Sequence, residues 1–264
     1  RYSWVWLCWW LGITGAYSLG YLLLAGSRSR VIRGAAATGG ALFYLLNLAT
    51  VQYFYVPYES FSSFYAFLPW ILAGVWWYSR RPNRGRALGL ALISLAAGSA
   101  FYVQTLFVVV FLVVAILLLS EWLSRRLSWR TGLLALLILV TTNLYWLLPS
   151  AYFTVTAAAN TVESKVNRLA TLESQLMNQS FGTPFNLMLL RGYWLDYQDV
   201  QANQYVYLMA NWRSYYHLGA ITVIAVSFWG LAVFGLLTSL RRQQHWQPAW
   251  CAVFVLATLM LTSG

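Results

Sequence analysis

The sequence predicts an all-α fold, a polytopic transmembrane helix bundle of about eight spans with one large external loop containing an amphipathic helix. Three observations predict it. Hydrophobic residues make up 60% of the 264-residue chain and charged residues only 9%, against about 25% charged in a soluble domain. Apolar runs recur at the length needed to cross about 30 Å of hydrocarbon. The arginines lie in short clusters between those runs, as in the cytoplasmic loops of membrane proteins. That clustering, not the net charge of +11, sets the partner class, and it points to no nucleic acid.

The first span covers roughly 2–25 and opens on Trp4, Trp6, Trp9 and Trp10, with Arg28, Arg30 and Arg33 behind it. The second, roughly 34–54, starts with Gly34, Ala35, Ala36, Ala37, Gly39 and Gly40, small residues that permit close helix packing. The third, roughly 62–79, ends at Arg80, Arg81, Arg84 and Arg86. One helix over 87–120 would be about 50 Å long, too long for the bilayer. It would also put Arg125, Arg126 and Arg130 on the opposite face. Two shorter helices, near 87–102 and 105–122 with a turn near Gln104, remove both conflicts. Glu121 and Arg125 then stand i, i+4 in the favourable order.

The sixth span, roughly 131–149, closes with "NLYWLLPS". Tyr145 and Trp146 are expected at an interface belt, and Pro149 is expected to stop the helix. Asn143, polar within the apolar run, is expected to bond a neighbouring helix. A polar stretch, 151–214, follows. The seventh span covers roughly 215–239 and ends at Arg241 and Arg242, and an eighth begins near 248. The chain thus divides into helices 1–6 (1–150), an external loop (151–214), and helices 7–8 (215–264) with the last truncated. The missing starting methionine and the short final run suggest an internal piece of a longer protein.

This parity places all four arginine clusters on one side, 12 of the 17 cationic residues. The positive-inside rule makes that side cytoplasmic and 151–214 external, in a multi-pass protein of the cell membrane. Five of the six acidic residues (Glu59, Glu163, Glu173, Asp196, Asp199) fall outside. Asn160 with Glu163 resembles a capping box. Val162, Val166, Leu169, Leu172 and Leu176 then mark one face of a helix of about 18 residues, resting on the membrane surface or the bundle.

The external loop also carries "RGYWLDYQD". Tyr193, Trp194 and Tyr197 offer flat faces and Asp196 and Asp199 offer acceptors, a combination that suits a sugar. Arg191 and Arg213 offer donors to a phosphate, or else salt bridges to Asp196 and Asp199. His217 stands at a helix start, where a capping or interface role stands against a catalytic one. Glu59, in "VPYESFSSFY", is the remaining external acid near a helix end. Candidate catalytic acids are therefore Asp196, Asp199 and Glu59. Candidate substrate-binding residues are Arg191, Tyr193, Trp194, Arg213 and His217. No metal-ligand spacing occurs, and Cys8 and Cys251 read as buried small hydrophobes. Phosphate-binding glycine loops, metalloprotease helices and GxSxG elbows are absent. Asn178-Gln179-Ser180 matches the N-glycosylation pattern.

"NLYWLLPSAY" closing a helix, an external loop with an amphipathic helix, "FGTPFNLMLLRGYW", a return helix and the final "LMLTSG" resemble the GT-C superfamily. More narrowly, they resemble its YfhO-like and arabinofuranosyltransferase-like membrane proteins, over 140–264. The resemblance implies a helix bundle that takes sugar from a polyprenyl-phosphate carrier in the membrane. It passes the sugar to an external glycan, lipid or protein acceptor. It also implies a catalytic acid in the first external loop. No acid precedes Glu59, so that acid is expected upstream of Arg1. No cofactor is certain, although a divalent metal is compatible with such chemistry. The alternatives are a transporter or flippase for a lipid-linked glycan, which the nearly charge-free spans disfavour, and a non-catalytic membrane scaffold.

Overall fold

The computed structural model describes residues 2–25, 29–55, 58–162, 176, 179–180, 182–196, 198–201, 204–216 and 218–241. It is mostly helical, and its contacts divide the chain into two units, Arg1–Val155 and Thr156–Gly264. The first contains α1 (Tyr2–Leu23), α2 (Arg30–Leu46), α3 (Leu48–Tyr55), α4 (Glu59–Arg80) and α5 (Arg84–Ala96). A 3-10 turn (Ala97–Tyr102) extends α5 and leads to α6 (Gln104–Leu123), α7 (Trp129–Thr142) and α8 (Leu144–Val162), which runs across the division.

Side chains set the helix ends. Ser29 accepts from the Ile32 N–H, and Asn83 from the Arg86 N–H at 2.9 Å, each filling one of the unpaired donors of a helix start. Asn47 serves two helices. Its amide donates to the Phe43 and Tyr44 carbonyls ending α2, and its oxygen accepts from Thr50 N–H opening α3. The expected continuous second span is therefore broken at Asn47 with a bend of 47°. By contrast, 87–122 divides as expected, at Val103 just before Gln104. Pro149 does not stop its helix. It lies inside α8, and the break comes earlier, at Asn143, with a bend of 76°.

α4 is the hub of the first unit and is buried on nearly every side, from Ser62 to Tyr78. α1 runs parallel to it. Trp4 Nε1 donates to Ser63 Oγ (3.1 Å), and Trp70 Nε1 donates to the Leu11 carbonyl (2.9 Å). Gly12 and Gly15 allow this approach. A methyl on Gly12 would overlap the Tyr65 ring, and one on Gly15 would lie 2.7 Å from Trp70 Nε1. On α2 the contact is made by Ala37, against Gly20, while Gly34, Gly39 and Gly40 face open space. The small residues expected to pack the second span are thus mostly not those that do.

The interior is mainly apolar but includes a set of polar side chains, and the periphery is apolar as well. Ser62, Ser63, Ser94 and Asn143 are fully buried, whereas Val31, Ile32, Leu88, Leu92, Leu119, Leu134 and Val155 are exposed. A monomer in water rarely presents so extended an apolar coat. In lipid it costs nothing, and helices associate through small residues and internal hydrogen bonds. Two helices, Arg84–Tyr102 and Gln104–Leu123, are long and apolar enough to cross a membrane, or up to four if each bent pair is one span. α1 and α4 are long enough at 22 residues each. They are rich in Trp, Tyr, Gly and Ser, whereas Arg84–Tyr102 and Gln104–Leu123 are mainly aliphatic. The beginning of an eighth span near 248, Arg242 and Cys251 lie outside the described residues.

Trp146 turns inward rather than to a belt. Its ring packs against Phe101 and Phe107, and its Nε1 donates to Asn143 Oδ1 at 2.9 Å. Asn143 Nδ2 donates to Ser94 Oγ on α5, also at 2.9 Å, which meets the expectation of a neighbouring-helix bond. The partner of Glu121 is Arg80 of α4, 3.5 Å away, rather than Arg125. Arg125 instead ends α6 in the left-handed region (φ 55°), as Arg126 N–H bonds back to the Glu121 carbonyl.

The second unit contains α9 (Pro184–Met188), a 3-10 turn (Tyr193–Asp196), β1 (Gln198–Gln201), β2 (Gln204–Tyr207), α10 (Ala210–Tyr216) and α11 (Gly219–Arg241). β1 and β2 pair antiparallel from Gln198↔Tyr207 to Gln201↔Gln204. Among the described residues this short hairpin is the only strand pair, and the fold is all-α as expected. Most of the expected amphipathic helix (163–175) lies outside the described residues, as does Asn178.

Candidate functional site

α9 is short, and its end aims the site. Leu190 takes the left-handed region (φ 51°), and Arg191 N–H bonds back to the Asn186 carbonyl at 2.8 Å. That conformation costs a non-glycine residue about 1–2 kcal/mol. It reverses the chain so that Arg191 emerges beside the 3-10 turn ending at Asp196. Trp229 Nε1 of α11 donates to the Met188 carbonyl at 2.8 Å and anchors the same segment. Beneath lie the buried side chains of Leu189, Leu195 and Met209. Met209 also gives its carbonyl to Arg213 N–H, which fixes Arg213 within the short helix α10.

Two arginines converge on one carboxylate. Arg191 Nη2 donates to Asp196 Oδ2 at 2.5 Å. Arg213 Nε lies 2.7 Å from Oδ1, an ion-pair distance, although its N–H is not aligned with that oxygen. The other face of Arg213 covers the Tyr207 ring, 3.7 Å from guanidinium carbon to ring centroid. The side chains of Arg191, Asp196 and Arg213 are 17%, 19% and 31% exposed. Water therefore screens them only in part, and the pairing counts for more than a surface ion pair.

The structure thus brings together three of the sequence-selected residues, Arg191, Asp196 and Arg213. Tyr193 and Trp194 begin the 3-10 turn, and Asp199 lies on β1 opposite Val206, but the side chains of these three lie outside the described set. Tyr197 and His217 lie outside the described residues. Glu59 belongs to the first unit, exposed in the first turn of α4, where a helix N-terminus favours a negative charge. Among the described residues no three His, Cys, Asp or Glu side chains converge. Tyr207 and Leu190 were not among the sequence candidates. Tyr207 could have been found from the alternating "QYVY" that precedes the helix carrying Arg213.

Chemically, the node sets two guanidiniums against one carboxylate among the described residues, beside the aromatic face of Tyr207. Searches against protein-family models, curated proteins and solved structures found no match.

Proposed function

We propose that this chain is part of an integral membrane glycosyltransferase of GT-C type, moving a sugar from a polyprenyl-phosphate carrier to an external glycan, lipid or protein acceptor. In this reading the helices form a multi-pass bundle of about eight spans in the cell membrane. The arginine clusters face the cytoplasm and 151–214 faces outside.

The observation that supports the reading is the meeting of Arg191 and Arg213 on Asp196, beside the Tyr207 ring. The carrier's phosphate would be met by the Arg213 guanidinium and be stabilised as it leaves. Asp196, with an arginine against each oxygen, orients both guanidiniums. It is poorly placed as the base that must accept the acceptor's hydroxyl proton. Of the other candidate acids, Asp199 lies in the same unit as the node and takes that role.

The test is transfer from a polyprenyl-phosphate sugar by the full-length protein. Arg191→Gln with Arg213→Gln should lower kcat/KM by about 10–100-fold, the worth of one or two charge-assisted hydrogen bonds. Unchanged transfer would remove the node from the site. A non-catalytic scaffold is the second reading, favoured by the same self-paired node, which can serve to fold the segment. No transfer from any polyprenyl-phosphate sugar, with the segment intact, would select the scaffold.

A further inference from the structure

A second cationic surface lies in the first unit and is independent of the proposed sugar transfer. Because α1 and α4 run parallel, Tyr21 on α1 comes level with Arg80 on α4. Arg33 Nε donates to the Tyr21 carbonyl and its guanidinium covers the Tyr21 ring at 3.6 Å. Arg80 reaches Glu121 at the end of α6, so the α4–α5 and α6–α7 turns are held together. One end of the unit therefore collects Arg30, Arg33, Arg80, Arg81, Arg84, Arg86, Arg125, Arg126 and Arg130. Among the described residues the carboxylate there is Glu121, buried and already paired with Arg80.

Two features identify the partner. First, several guanidiniums rest on indoles: Arg80 on Trp76, Arg86 on Trp77 and Arg130 on Trp129, at 4.1, 4.7 and 5.7 Å. Arg80 is also paired with Glu121 and Arg86 donates Nη1 to the Trp77 carbonyl at 2.8 Å, but an indole face does not neutralise a guanidinium, so Arg86 and Arg130 keep their positive charge. Second, the cationic end continues directly into exposed apolar side chains, Trp77, Leu88, Trp122, Leu123 and Trp129. A soluble polyanion would meet the charge and leave that apolar surface wet. An amphiphile with an anionic head matches both parts. We propose that this end of the first unit binds the phosphate headgroup of an anionic phospholipid between the α4–α5 and α6–α7 turns, with its chains along the exposed Leu and Trp side chains.

The experiment uses the full chain in nanodiscs made from phosphatidylcholine with a minor share of phosphatidylglycerol. Lipid retained after detergent extraction is then quantified by mass spectrometry. The wild-type chain should retain phosphatidylglycerol in preference to phosphatidylcholine. The combined variant R81Q/R84Q/R125Q/R126Q should lower that preference by at least about tenfold, since each cation near a headgroup contributes substantially. The Lys versions of the same four positions keep the charge and should keep most of the preference. R191Q/R213Q should leave it unchanged, which separates this surface from the proposed sugar site. Equal retention of both lipids by wild type overturns the proposal. So does loss in both the Gln and Lys sets, or displacement of the lipid by millimolar inorganic phosphate.

Discussion

The Tyr44 hydroxyl donates to the carbonyl of Tyr65, 2.8 Å away, and that carbonyl lacks its helical partner because Pro69 stands four residues later with no N–H. The two rings also stack, with centroids 4.5 Å apart. A side chain on α2 thus repairs the proline gap in the central helix, in surroundings where water is not at hand to do so. Tyr44→Phe should destabilise the first unit by about 1–3 kcal/mol, the cost of an unpaired buried acceptor. Pro69→Ala returns an N–H to Tyr65, so Tyr44→Phe should cost clearly less in that background. Unfolding midpoints of the four proteins in one detergent measure the coupling.

Gly12 and the three outward glycines of α2 should respond oppositely to alanine. At Gly12 the added methyl meets the Tyr65 ring, which Tyr44 already flanks. Gly12→Ala should cost about 1–3 kcal/mol through overpacking. Gly34→Ala, Gly39→Ala and Gly40→Ala meet nothing within contact range. They should be neutral or should stabilise by up to about 1 kcal/mol each, through helix propensity. Thermal melts of the single variants decide this, and equal losses at all four positions would refute the packing described for α1 and α4.

The bend between α7 and α8 rests on Asn143. Its amide nitrogen reaches Ser94, its oxygen takes the Trp146 N–H, and it is completely buried. Asn143→Ala should cost about 1–3 kcal/mol by stranding those partners. Its coupling with Ser94→Ala should be about 0.6 kcal/mol, the average for such pairs in membranes. Trp146 fluorescence should change on Asn143→Ala, because the indole loses both its acceptor and its fixed ring position.

Arg213 joins Asp196 to Tyr207, and therefore joins the 3-10 turn to the β hairpin. Arg213→Lys keeps the charge but not the planar face that covers the ring. Amide hydrogen exchange over 198–207 should accelerate in Arg213→Lys and more so in Arg213→Gln. Exchange in α5 and α6 should be unaffected. Tyr207→Leu should reproduce most of the Lys effect, since it removes the aromatic face while leaving the ion pair.

Some of this was legible in advance. The break near Gln104 follows from counting residues against the bilayer, and Asn143 betrayed itself as one amide in an apolar run. The Arg191–Asp196–Arg213 meeting was one of two readings open for those residues. Other features gave no such signal. Pro149 continues its helix because a single missing hydrogen bond can be tolerated once neighbours fix the chain. Asn47 ends one helix and starts another, although an asparagine within an apolar run is equally compatible with an unbroken span. Gly34, Gly39 and Gly40 offered a packing face that the fold leaves open.

Residue order by itself determined that this chain forms helices, that its charges gather between apolar segments, and that a 34-residue run must break. These are local matters of period and length, set within a turn or two of helix and by a slab about 30 Å thick. Tertiary structure alone decided that Tyr44 serves Tyr65, that Arg80 rather than Arg125 pairs Glu121, and which glycines admit a neighbour. Each of those depends on where side chains distant along the chain come to rest. Helical periodicity constrains which face a residue occupies, but not the partner that face will meet.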